Sequence, residues 1–193
     1  MLNILTYGES ILTEKANEIT EFDQSLQRLI EEMHEAMQRD HGIGLAAPQV
    51  GTSKRLFIVG IDDEPLRVFI NPHIVASSQE TTELEEGCLS FPGLYFTVVR
   101  PLAVDIEAVD MHGKPFRISA DGLLARVIQH EYDHLDGILF VDRVSPSKRK
   151  RALTHYGRML KMQRRLGVDG AHFVCRKSRY RGSHPREFAQ FFA

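Results

Sequence analysis

A chain of 193 residues, 42% hydrophobic and 26% charged, suits one domain with an appendage and is too ordinary in composition for a disordered, collagen-like or coiled-coil protein. Its formal net charge of -2 conceals a split: residues 1–142 carry ten Lys and Arg against 24 Asp and Glu, and residues 143–193 carry 14 against two. Two cysteines, Cys88 and Cys175, are too few for a disulfide-stapled secreted fold, the start MLNILTYGES lacks a signal-peptide pattern, and no apolar run approaches the roughly 20 residues of a membrane span, so a reducing cytoplasm and no membrane partner are expected.

Along the chain, Phe22, Leu26, Leu29, Ile30, Met33 and Met37 recur at three and four residues, which predicts an amphipathic helix over roughly 20–40 with Gly42 as its left-handed stop. Residues 55–61, 67–77 and 96–110 are rich in Val, Ile and Phe and bounded by Gly, Pro or Asp, the pattern of strands. In the third, Val104, Ile106 and Ala108 alternate with Asp105 and Glu107, so one face is expected to meet water. MHGK at 111–114 reads as a hairpin turn into a strand near 116–119. From Asp121, an expected N-cap, Leu124, Val127, Ile128, Glu131, His134 and Leu135 keep helical spacing up to Gly137. Ser145-Pro146 opens a third helix that stops at Gly167. Helices and strands do not alternate regularly, so the class is α+β: mixed or antiparallel strands around a central helix, with further N-terminal and C-terminal helices.

The strongest chemical signal is HEYDH at 130–134 on that central helix. Residues four apart share a helix face, so His130 and His134 converge on one metal ion, and Glu131 stands beside them to move protons. Chance supplies a His-Glu-x-x-His only about 0.03 times in a chain of this composition, so two exposed histidines on a charged face is the weaker reading. The apolar stripe around the motif agrees, because it places the histidines on or beside the buried side. Two histidines leave a catalytic site one protein ligand short, and no histidine follows closely downstream. Cys88, in LEEGCLSFPG, is either a buried structural thiol or the missing thiolate. HGIGLAAPQVG at 41–51 is either a plain turn or a place where Gly42 and Gly44 admit a substrate backbone and Gln49 presents an amide donor.

In this order, GIGLAAPQ (Gly42 to Gln49), EGCLS (Glu86 to Ser90) and HEYDH (His130 to His134) resemble the three motifs of the peptide deformylase family. The resemblance extends to about Leu166, which gives an expected catalytic domain of residues 1–166, including the C-terminal helix at about 146–166, and a basic tail of 167–193 expected to be poorly ordered. It implies removal of the formyl group from formylmethionine at the start of nascent peptides. Cys88, His130 and His134 are then the metal ligands, and Glu131 the general base and acid that serves the attacking water. Gln49 and the backbone N–H of Leu89 are the oxyanion donors it implies. For the substrate it implies Ile43, Gly44 and Gly87 along an extended peptide, and a methionine pocket drawn from Leu84, Leu123, Val127 and the flank of His130. Arg126 falls where many relatives carry an aliphatic residue, at the rim of that pocket, and Arg100 is expected to pair with Glu86.

One divalent ion is implied, native Fe2+, although the ligand set also suits Zn2+, Ni2+ or Co2+. The expected partners are formylated nascent peptides and, through the basic C-terminal segment, the ribosome, with no sequence-specific DNA; the expected location is the bacterial cytoplasm or an organelle. Two other readings start from the same residues. A zinc endopeptidase shares HExxH but lacks both Cys88 as third ligand and the GIGLAAPQ stretch. A ribosome- or RNA-binding module with a structural metal site would use the 14 cations of the tail, which carries no RNA-binding signature.

Overall fold

The computed structural model describes residues 1–61 and 64–166, and its layering is set by one short run, Leu56-Phe57-Ile58-Val59, that is apolar at every position. In a strand successive side chains point to opposite faces, so a run without polar members must be covered on both. Phe57 and Val59 join a core with Phe69, Val104, Ile106, Val127 and Ile128, whereas Leu56 and Ile58 join a second core with Leu26, Ile30, Met33 and Met37.

This run is β2 (Leu56–Val59) of a five-stranded antiparallel sheet, whose other members are β1 (Gly44–Ala46), β3 (Arg67–Ser77), β6 (Ala103–Val109) and β7 (Pro115–Asp121). The order is β1-β2-β3-β6-β7, which leaves β1 on an edge. Between β3 and β6 the chain makes a separate antiparallel ribbon, β4 (Thr81–Glu86) with β5 (Phe96–Pro101). Helix α1 (Gln24–Arg39) covers one face of the sheet through Leu26, Ile30, Met33, Ala36 and Met37. Its 16 residues would be marginal alone in water, and burial of this stripe holds them helical. The Asp23 side chain accepts the Leu26 N–H and caps the start.

Helix α2 (Gly122–Leu135) lies against the other face, nearly all of it buried. Its C-terminal end is clasped from outside: Ala16 N–H and the buried Arg55 guanidinium donate to Leu135 O, and Arg55 also pairs with Asp136. The ribbon's inner side, the Cys88 loop and α3 (Pro146–Leu166) enclose a third cluster of Leu12, Cys88, Phe91, Val98, Phe140 and Tyr156. The described residues thus form a mixed α and β fold with antiparallel sheets and three helices.

Several expectations change on inspection. The single strand read over 96–110 is two, broken at Leu102, with β5 in the ribbon and β6 in the main sheet. The ribbon partner β4 escaped the sequence reading because Thr-Thr-Glu-Leu-Glu-Glu alternates with only one apolar residue; its inward positions carry Thr82, Leu84 and Glu86. Helix α1 begins at 24, not 20, and the left-handed residue after it is His41 (φ 58), not Gly42. Asp121 precedes α2 without a side-chain cap, and Gly122 (φ 53) makes the turn from β7 into the helix. The 111–114 turn is as read: Gly113 has φ 78, and Asp110 accepts the His112 and Lys114 N–H groups. Asp105 and Glu107 do face out, where both pair with Arg117. Cys175 and the tail from residue 167 lie outside the described residues.

Candidate metal centre

Three motifs far apart in sequence meet where α2 passes between β1 and the end of β4. Cys88, the second residue after β4, His130 and His134 place one donor atom each within 4.8 Å of one another, all three residues buried. Cys88 Sγ lies 3.3 Å from His134 Nε2. His130 turns Nδ1 to Glu86 Oε2 at 2.9 Å, which presents its Nε2 side to the cluster. A thiolate with two imidazoles is the donor chemistry of a borderline or soft divalent ion, so these residues fit the metal that the sequence implies.

The carboxylate behind His130 is held by three side chains at once. Glu86 is fully buried, and besides His130 it takes Arg100 Nε at 2.6 Å, Arg100 Nη2 at 2.9 Å and Arg126 Nη1 at 2.9 Å. Burial alone would push its pKa up, but the hydrogen bonds from His130 and Arg100 and their charges outweigh it and hold the group far below the usual carboxylate range. Arg100 reaches on to Asp133 Oδ2 at 2.7 Å, and Asp133 is also held by Arg143. Arg126 does not stand at a pocket rim as expected. It is buried and spans the ribbon, donating to Thr82 O on β4 and Val98 O on β5.

Burial lowers the His134 pKa well below its ordinary value. For His130 burial pulls the same way, but hydrogen bonds to Cys88 and Glu86 prevail and raise it. Glu131, only 3% exposed, has its pKa pushed up to about 7 by burial, and its Oε2 has no hydrogen-bond partner among the described residues.

Proximity requires glycine at position 44 of the first motif and brings Gly42 against Leu89. A Cβ on Gly44 would lie 2.5 Å from Glu131 Oε1 and 2.8 Å from Val127 Cγ1, and one on Gly42 would lie 2.7 Å from Leu89 Cδ1. Gly42 therefore faces the cysteine loop and Gly44 faces α2. Ile43 O accepts from Gly60 N–H on the β2 side, so in the alternation of an antiparallel edge strand the N–H and C=O of Gly44 point outward. Gln49 is buried, and its orientation is set from both ends: Oε1 accepts Ala46 N–H at 2.8 Å, which turns Nε2 toward Ser90 Oγ at 3.2 Å and Cys88 Sγ at 3.6 Å.

The structure thus gathers Cys88, His130, His134, Glu131, Gln49, Leu89, Gly44 and Val127 in one place. Gly87 is buried next to Cys88, Leu123 packs on the α2 core, and Leu84 lies opposite Val98 on the inner side of the ribbon. Sequence reasoning expected the Arg100–Glu86 pair but missed its extension to His130, and it missed the roles of Asp133 and Arg126 in that network and of Ser90 beside Gln49. The first two carried a signal: Arg126, His130 and Asp133 recur at four and three residues on a helix otherwise flanked by apolar side chains, the spacing of a buried polar stripe.

The family profile described as polypeptide deformylase matches residues 1–150. A peptide deformylase of Treponema pallidum is 48% identical over 149 residues, 77% of this chain and 91% of that protein. Among solved structures, a peptide deformylase from Legionella pneumophila superposes with a TM-score of 0.80 at 45% identity, covering 86% of this chain and 98% of the other. One from Synechococcus elongatus, solved in complex with actinonin, gives 0.77 at 42% identity over 81% and 88%. No relative named here suggests an endopeptidase or an RNA-binding module.

The raised Glu131 pKa has a measurable sign. Between about pH 4.5 and pH 7 the folded, metal-stripped chain keeps a proton on Glu131 that the unfolded chain releases, so stability falls as pH rises through that window, by about 3 kcal/mol in all. Urea unfolding of metal-stripped protein at pH 5 and pH 7.5 is expected to show this loss, and Glu131→Gln to lack it. Equal pH slopes for the two proteins would contradict the burial argument.

Proposed function

The chain belongs to the polypeptide deformylase family, whose members remove the N-terminal formyl group from nascent peptides, and on that premise we propose how its own residues carry the reaction. The observation that carries the proposal is the convergence of Cys88, His130 and His134 beside a buried carboxyl group, Glu131, with an outward-facing strand edge at Gly44.

Cys88, His130 and His134 would hold one divalent ion, Fe2+ in the native enzyme by family resemblance, with Zn2+, Ni2+ or Co2+ as substitutes. Such an ion supplies Lewis acidity: it lowers the pKa of water in its coordination sphere and polarises a carbonyl oxygen. The formyl-methionyl peptide lies extended along Ile43 and Gly44, with Gly87 opposite, and adds to the open edge of β1. A β-carbon at position 44 would occupy the space between that edge and Glu131, which is why only glycine serves there. The methionine side chain enters between Leu84, Leu123, Val127 and the flank of His130, apolar walls suited to an unbranched thioether. Glu131 takes the proton of the attacking water and delivers it to the departing amine; its burial favours the protonated form and so suits a group that must also carry a proton. The Gln49 amide, held by Ala46, and the Leu89 N–H donate to the oxygen as it becomes negative.

Incubating anaerobically prepared, metal-loaded protein with a formyl-Met peptide is expected to release formate. Glu131→Gln is expected to keep its metal and lose turnover by several orders of magnitude. Absence of formate from the loaded wild type would refute the activity, and full turnover by Glu131→Gln would remove Glu131 from its role.

The ribosome is the proposed docking partner of the basic segment. Helix α3 exposes Lys148, Lys150, Arg151, Arg158, Lys161 and Arg165, a cationic side that favours a phosphate-rich surface. Deleting the helix would open the core at Tyr156, so charge reversal tests this better. A full-length Lys150→Glu/Arg151→Glu/Arg158→Glu variant is expected to pellet with ribosomes less than wild type at low salt, the difference shrinking as salt rises. Equal pelleting would contradict docking through α3.

A further inference from the structure

Residues 1–8 play no part in the reaction described above, yet they join the two loops that hold its oxyanion donors. Leu5 N–H donates to Gln49 O at 2.7 Å, and Tyr7 N–H donates to Ser90 O at 2.8 Å. Leu5 and Tyr7 are alternate residues, and alternate residues of an extended segment present their N–H groups to the same side. Gln49 and Ser90 are 41 residues apart; their side chains meet at 3.2 Å, and the N-terminal segment bonds to the backbone of both.

The Tyr7 ring fixes the segment in place. It stacks on Phe91, the residue after Ser90, with centroids 4.7 Å apart and planes 26° apart. It also meets Tyr156 of α3 edge-on at 6.4 Å, while Phe91 and Tyr156 lie 5.2 Å apart. Tyr7 is therefore seated between the cysteine loop and the C-terminal helix, and its own N–H reaches back to the residue that touches the Gln49 amide.

We propose that Tyr7 is a positioning residue for the hydrolysis: with Leu5 it clips the Gln49 turn to the Cys88-Leu89-Ser90 turn and fixes the spacing of the two oxyanion donors. The proposal rests on Gln49 and Leu89 acting as those donors. The two turns belong to different sheets, one following β1 and the other following β4, so nothing in either sheet's hydrogen bonding sets their separation. Oxyanion donors act within a few tenths of an ångström of their ideal distance, and a displacement of about 1 Å costs about a hundredfold in rate.

The test is a double-mutant cycle on the full-length, metal-loaded enzyme with a formyl-Met peptide. Tyr7→Ala keeps the N–H and loses the ring; it is expected to lower kcat about tenfold, with KM within about twofold and metal content unchanged. Tyr7→Phe keeps the stack and is expected to match wild type. In a Gln49→Ala background, where kcat has already dropped by about a hundredfold or more, Tyr7→Ala is expected to cost less than about threefold. If Tyr7→Ala does not fold, Tyr7→Leu, which keeps bulk without the flat stack, replaces it in the cycle. An equal kcat loss in both backgrounds, or a loss of metal or a rise in KM in place of the kcat effect, would overturn the clip and leave the role of Gln49 standing. A Gln49→Ala enzyme with undiminished kcat would overturn the oxyanion role and the clip together.

Discussion

One buried carboxylate, Glu86, is the group on which the candidate centre depends. It ends β4, stands two residues before Cys88, and accepts from Arg100, Arg126 and His130 at once. A charge with no exposed surface is tolerated only where it is paired and hydrogen-bonded on all sides, and breaking such a set leaves the remaining charges uncompensated at about 3–5 kcal/mol. The two arginines therefore do more than neutralise. Arg126 reaches carbonyls on both strands of the β4–β5 ribbon, and Arg100 links the ribbon to Asp133, one turn along α2 from Gln129. The ribbon, too short to be stable alone, is attached to α2 by these contacts. Attachment and ligand orientation are one arrangement, because the carboxylate that gathers the arginines also fixes the ring of His130.

The remaining parts of the centre are placed by close packing. Helix α2 passes so near β1 that residue 44 has no room for a side chain, and residue 42 lies against the Leu89 side chain of the cysteine loop. Rigid elements thus position Glu131, Val127 and the imidazoles, and β1, an edge strand of the main sheet, runs beside them. An extended peptide needs such an edge to satisfy its backbone, and among the described residues β1 has a strand partner on one side only.

Much of this was legible in the sequence for physical reasons. Helical spacing alone put His130 and His134 on one face beside Glu131, and the Val-, Ile- and Phe-rich stretch at 55–61 marked a strand, whose coverage on both faces only the packing reveals. Cys88 as third ligand, Gln49 as donor and the Arg100–Glu86 pair came from the resemblance, because no local pattern can say which distant loop arrives at a helix. What stayed hidden was of two kinds. Strand β4 has an inward residue, Glu86, that is charged, so its alternation contradicts the apolar-in rule that reveals strands. The break at Leu102 between two sheets is a tertiary event, since residues 96–110 have strand character throughout and only their partners differ. The function of Leu5 and Tyr7 likewise depends on where Gln49 and Ser90 come to rest, which no spacing near residue 5 encodes.

The central claim is that a carboxylate-oriented histidine, a second histidine and one thiolate form a single metal site. Anomalous diffraction from crystals of the anaerobically prepared, metal-loaded enzyme, recorded at the absorption edge of the bound ion, tests it most directly. A single site of this kind gives one peak bonded to Cys88 Sγ, His130 Nε2 and His134 Nε2, with His130 Nδ1 still on Glu86. A peak elsewhere, or a His130 ring turned away from Glu86 to reach the ion, would contradict it.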